Sequence, residues 1–200
     1  MRKISVRVPL NLWIPLFWGS LWGITEASLG HVFHMIRIPG LPGLLMFPAA
    51  LFFMVKAYER WTGKITIFLT SLVAASFKFM DLMVPPHDFW AVLNPAMAIL
   101  CESLALVLFL TIWKKQELWK LKSLWSLAVG WKILYALFLT PLGLFLQGES
   151  FFQMEIIRLF RFFIGESFLQ GLGIYLWIQM SSGLPFLKNY LRTKKENYLG

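Results

Sequence analysis

The sequence predicts an all-α, polytopic membrane bundle, and three observations point that way. Of its 200 residues, 58% are hydrophobic and only 14% are charged, where a soluble domain carries about 25% charged residues. The apolar residues gather into six runs near the ~20 residues that a membrane-crossing helix needs. Those runs show no apolar–polar alternation, and backbone in lipid must close its hydrogen bonds within helices or a sealed barrel. A mean hydropathy of +0.65 agrees. So do 19 Phe and 10 Trp, whose rings suit bilayer interfaces and lipid-packed surfaces.

In order, the runs cover roughly 10–35, 41–58, 65–84, 90–113, 123–146 and 156–180. The first follows "MRKISVRVPLNLWIPLFWGSLWG", which has the basic-then-apolar form of a signal peptide. Its apolar stretch continues without a clear A-x-A cleavage pattern, so it is expected to remain as the first span. "PGLPG" at 39–43, "RWTGK" at 60–64 and "VPPHD" at 84–88 break the runs with Pro, Gly and polar residues. Connections this short leave no room for a soluble domain. The expectation is a single integral membrane domain, 1–200, ending in a basic tail at 186–200.

Charge fixes the expected orientation. Arg2, Lys3 and Arg7 precede the first run, and Lys56, Arg60 and Lys64 surround the second connection. Lys114, Lys115, Lys120 and Lys122 fill the fourth connection, and Lys188, Arg192, Lys194 and Lys195 lie in the tail. All fall on one side of an alternating six-span path. The positive-inside rule makes that side cytoplasmic, with both termini there. The net charge of +9 therefore reads as topology and attraction to anionic lipid rather than as a nucleic-acid surface. Cys101 is the only cysteine, which excludes an internal disulfide and a Cys-based metal cluster.

With that orientation, polar groups from four runs gather in the outer half. They are Glu26, Lys78 with Asp81, Asn94 with Glu102, and Arg158 with Glu166; His31 and His34 lie near the outer surface. Lys132 stands apart, deep in the fifth run. A charge at a span centre costs about 2.5–3.5 kcal/mol on insertion scales, so such groups face a bundle interior or a watery cavity. Asn94, Ala98 and Glu102 follow steps of four, as do Arg158, Phe162 and Glu166, while Lys78 and Asp81 can pair at a spacing of three. The candidate substrate-binding set is thus Glu26, His34, Lys78, Asp81, Asn94, Glu102, Arg158 and Glu166. Charged ties between helices are the competing reading of these residues. No metal is expected, with His31, His34 and Glu26 as the alternative set because HxxH aligns two imidazoles on a helix. Ser28, Ser103 and Ser167 neighbour the glutamates, but no G-x-S-x-G elbow accompanies them.

Gly19, Gly23 and Ala27 repeat at intervals of four in the first run, a row that lets another helix approach closely. That helix belongs either to a partner or to the same bundle. Six short helices in about 200 residues, both ends inside, with a small-xxx-small first helix, resemble the substrate-binding S components of energy-coupling factor (ECF) transporters. In that family an Ala-xxx-Ala-type motif on the first helix contacts the coupling subunit, and Gly19, Gly23 and Ala27 match it in kind, with Gly at two of the three positions. The resemblance implies a vitamin-like or other micronutrient ligand near the outer face, and partners consisting of a transmembrane coupling subunit and ATPase subunits.

The expected function is therefore a multi-pass cell-membrane subunit that binds a small-molecule substrate for uptake, with no cofactor and no nucleic-acid partner. The chain carries no G-x-x-x-x-G-K-[ST] sequence, so separate subunits would supply ATP hydrolysis. An enzyme is not expected. The alternatives are a membrane-embedded enzyme using Glu102 or Glu166 as acid–base, and a structural or assembly subunit.

Overall fold

The computed structural model describes residues 11–36, 41–61, 63–80, 89–113, 115–147 and 161–182. These residues form six α-helices and no strand: α1 (Trp13–Ile36), α2 (Leu41–Arg60), α3 (Lys64–Lys78), α4 (Phe89–Ile112), α5 (Leu121–Gln147) and α6 (Glu166–Ser182). A short 3-10 segment, Lys115–Trp119, precedes α5, and a π turn, Arg161–Gly165, runs into α6. Asp81, Arg158, residues 1–10 and the basic tail lie outside the described residues.

The all-helical expectation holds over these residues. Among them, Val92–Ile112 in α4 and Leu121–Leu142 in α5 are long and apolar enough to cross a membrane, with mean hydropathies of 2.1 and 1.4. The fifth and sixth runs differ in regularity. Where 156–180 reads as one α-helix with steps of four, the π turn interrupts the register before Glu166. A π turn holds more residues per turn than an α-helix, so Phe162 and Glu166 do not stack as an unbroken α-helix would stack them.

Local causes set the helix ends. Ile14 N–H bonds Asn11 O at 3.3 Å and Leu16 N–H bonds Leu12 O at 3.1 Å, starting α1. Gly63 is extended (φ −77°, ψ 130°) and offers no side-chain cap to α3. Thr66 N–H closes the first turn of α3 onto Gly63 O at 2.9 Å. Pro48, Pro95 and Pro141 lie inside α2, α4 and α5. Each removes a backbone donor from its helix, a loss that helices in lipid tolerate when neighbours take up the freed groups.

The chain divides into two compact units, Met1–Ile38 with Ala49–Val107 and Pro39–Pro48 with Leu108–Gly200. In unit 1, α1 lies tightly on α3. A Cβ on Gly19 would sit 2.6 Å from Thr70 O, and one on Gly23 would sit 2.6 Å from the Phe77 ring. Trp18 meets the rings of Phe52 and Phe53 from α2 at 6.3 and 6.4 Å. The hydroxyls of Ser71 and Ser103 join α3 to α4 at 2.7 Å. In unit 2, α5 and α6 approach just as closely, because a Cβ on Gly171 would lie 2.9 Å from Trp125 N. The Phe47 and Trp131 rings stack at 5.9 Å.

Large apolar side chains cover the outside of these helices as well as filling the core, and several polar side chains are buried. On α3, Ile65, Phe68, Leu72 and Phe79 point outward, while Thr66, Thr70, Ser71 and Lys78 are buried. On α1, Trp13, Phe17, Leu21 and Ile24 are exposed, while Gly23 and Glu26 are covered. On α6, Phe168, Leu169 and Leu176 face out and Ser167 and Gln170 face in. In water, each large apolar side chain left outside would forgo about 1.5–3 kcal/mol of burial. An outer surface this apolar accords with the presence of two helices long and apolar enough to cross a membrane.

Candidate functional site

Unit 1 gathers charged side chains from three helices. Glu26 on α1 and Glu102 on α4 are 8% and 5% exposed, and Lys78 closes the last turn of α3, also buried. Glu26 Oε1 accepts a 3.3 Å bond from Trp22 Nε1, one turn earlier on α1. Lys78 Nζ donates to the backbone oxygen of Glu26 at 3.3 Å. Lys78 acts electrostatically on Glu26, and Glu26 on Glu102, which links the three groups in sequence. Glu102 Oε2 is buried without a hydrogen-bond partner among the described residues.

This arrangement follows from the sequence. The Glu26 position is fixed by the row of Gly19 and Gly23, which brings the α1 backbone onto α3 and so within reach of Lys78. Glu102 is held one residue before Ser103, whose hydroxyl is tied to Ser71 and lies 2.8 Å from Leu100 O. Asn94 is half-buried on α4, two turns before Glu102. Burying a carboxylate is expensive unless charge and hydrogen bonds compensate it. Lys78 compensates Glu26 in part, while Glu102 Oε2 has no donor among the described residues.

Unit 2 handles its charge differently. Lys132, fully buried on α5, donates to Phe162 O at 2.6 Å and meets Glu166 Oε2 at 3.5 Å. Its ammonium also rests 4.5 Å from the centre of the Phe162 ring. Arg161 Nε lies 4.0 Å from Glu166 Oε1. The π turn interrupts the helical ladder where Phe162 O is captured by the lysine. Trp131 Nε1 and Ser167 Oγ are buried there without hydrogen-bond partners among the described residues.

The predicted set therefore separates. Glu26, Lys78 and Glu102 come together in unit 1, and Glu166 belongs to a separate ion cluster in unit 2 with Lys132. His31 and His34 lie on α1, but their side chains are outside the described ones; no group of three metal-ligating side chains occurs among the described residues. Gly19 and Gly23 are buried against α3, whereas Ala27 is exposed. Of the two uses open to that row, packing inside the chain accounts for the two glycines. Ser28 is exposed, its hydroxyl bonded to Ile24 O at 2.7 Å. A surface hollow of about 430 Å³, lined by Asn11, Trp13, Ile14, Phe17, Trp18 and Arg60, opens at the start of α1. Trp13 lies about 20 Å along that helix from Glu26.

Sequence reading passed over Trp22 and set Lys132 apart from the candidate site. Trp22 precedes Glu26 by four residues, a spacing that brings side chains together on a helix, and was legible on that ground. Lys132 carried no local sign of its acceptors, which lie some 30 residues on. No family model, curated protein or solved structure matches this chain.

Proposed function

We propose that the chain is a multi-pass membrane protein whose first unit binds a small polar molecule, serving as the substrate-binding subunit of an ECF-type micronutrient uptake system. The observation that carries this reading is Glu102. Its buried carboxylate has one oxygen without a donor among the described residues, inside helices whose outer faces are apolar. A partly satisfied polar cluster is a poor structural tie and a suitable place for a ligand to supply the missing contacts. The exposed apolar side chains and the two long apolar helices support the membrane. The uneven basic residues support six crossings with both termini cytoplasmic. Packing of Gly19 and Gly23 on α3 leaves the exposed outer face of α1, including Ala27, as the surface for a coupling subunit.

In this reading Glu26, Lys78 and Glu102 orient the ligand, and separate ATPase subunits drive its release inside. The test is extraction of the tagged full chain from its own membranes, with mass spectrometry of everything retained. A small polar molecule held by the wild type and lost from Glu102→Gln, together with an ATPase subunit, is the expected result. Recovery from the soluble fraction, or a chain that retains neither small molecule nor ATPase, would overturn it.

A further inference from the structure

The surface hollow of unit 1 forms where the start of α1 meets the end of α2, away from Glu26 and Glu102. Trp18 marks that meeting, its ring 6.3 and 6.4 Å from those of Phe52 and Phe53. The hollow holds about 430 Å³, within the roughly 300–1,000 Å³ typical of small-molecule sites. Arg60 brings it a guanidinium, Asn11 a carboxamide, and Trp13 and Trp18 indoles with N–H donors. No carboxylate lines it among the described residues. Arg60 makes no ion pair among them either, and the carboxylate beside it in sequence, Glu59, lies 3.4 Å from Lys56. The ten residues before Asn11 carry Arg2, Lys3 and Arg7 and no acidic side chain, so they can add only positive charge.

Charge therefore selects an anion, and the planar guanidinium fork suits phosphate oxygens in particular. The rest of the lining selects against a bare one. Trp13 is 81% exposed and Phe17 59%, so large rings stand open beside the cation and suit a molecule with an apolar part next to its charge. Trp also favours the headgroup level of a bilayer, and Arg60 lies in the basic 56–64 stretch read as cytoplasmic. Resting on the reading of the chain as a membrane protein, we infer that this hollow holds the headgroup of an anionic phospholipid. Arg60 takes the phosphate, Asn11 donates to a headgroup oxygen, and Trp13 and Phe17 pack on the glycerol and first acyl carbons. The lipid thereby ties the start of α1 to the end of α2, a fixed site rather than the diffuse pull of a basic tail.

Thermal unfolding of the detergent-purified full chain would be followed as dioleoylphosphatidylglycerol is raised in mixed micelles. Dioleoylphosphatidylcholine and inorganic phosphate are the controls. The expected result is a saturable rise in Tm with phosphatidylglycerol that neither control reproduces. Arg60→Gln should raise the half-saturating lipid fraction about tenfold, the loss of one charge-assisted contact. Arg60→Lys keeps the charge without the fork and should fall between. Trp13→Ala should also weaken the response, whereas Lys122→Gln, at an exposed cation of unit 2, should leave it unchanged. Equal losses in Arg60→Gln and Lys122→Gln would mean diffuse attraction and overturn the site. A matching rise with inorganic phosphate would replace the lipid by a soluble anion and overturn it too. A detergent-extracted chain indifferent to phosphatidylglycerol loses this inference and keeps the membrane reading. A chain recovered without detergent loses both.

Discussion

Lys132 in unit 2 and Glu102 in unit 1 are both almost wholly buried, yet their surroundings differ in kind. The lysine has a carbonyl at 2.6 Å, a carboxylate at 3.5 Å and an aromatic face at 4.5 Å. The glutamate keeps an oxygen with no donor among the described residues, and its electrostatic neighbour is another glutamate. Both residues are ionisable groups inside apolar runs, and spacing along the chain gives them equal claim to function. What separates them is satisfaction. A group whose partners all come from its own chain is explained by folding, whereas a group left short points to something that arrives later.

Substitutions can break or sharpen this contrast. The largest effect is expected from Lys132→Met, which strands Glu166 and Phe162 O in unit 2. Glu166 then keeps only the exposed Arg161, 4.0 Å away, and removing one partner of a buried ion pair costs about 3–5 kcal/mol, so reversible unfolding in detergent should show a loss approaching that range. The double variant Lys132→Met with Glu166→Gln should recover most of it, because no charge remains unpaired. A Lys132→Met protein as stable as the wild type would remove the closed half of the comparison.

A smaller loss, about 1–3 kcal/mol for overpacking, is expected for Gly19→Leu. Its Cβ would press on Thr70 O at 2.6 Å, a backbone atom that cannot swing aside as a side chain can. Thermal unfolding of the isolated chain measures it. Wild-type stability combined with loss of a copurifying partner would instead assign Gly19 to an outside helix.

The smallest change is expected from Glu102→Gln. An amide is cheaper to bury than a carboxylate and no donor is lost from Oε2, so Tm should stay level or rise slightly. A drop comparable to that of Lys132→Met would mean that Glu102 is a structural tie, and the two units would cease to differ.

Much of the fold was legible because apolar length and Pro/Gly breaks are properties of the chain itself. The predicted 41–58 and 90–113 correspond to Leu41–Arg60 and Phe89–Ile112. Lys78 was also within reach as a neighbour for Glu26. The division of the polar set was not legible. Spacing along the chain gives each residue an expected height along its helix but no angle around the bundle, so Glu102 and Glu166 looked like members of one cluster. The glycine row had the same defect. Spacing of four says that a helix lies against Gly19 and Gly23, and only the fold says that this helix is α3. Lys132 was read as isolated because its acceptors come from a turn that no α-helical periodicity describes.

That turn also sets an angle. An α-helix advances about 100° per residue, so the additional residue held in Arg161–Gly165 acts as a rotational spacer for everything after it. Forcing the same five residues into ordinary α winding would swing α6 by roughly that angle. Glu166 would then leave Lys132, and Gly171 would leave the backbone of Trp125 in the same movement. Two contacts that look independent, one ionic and one steric, are thus timed by a single irregularity. The alignment of the whole last helix is stored in five residues.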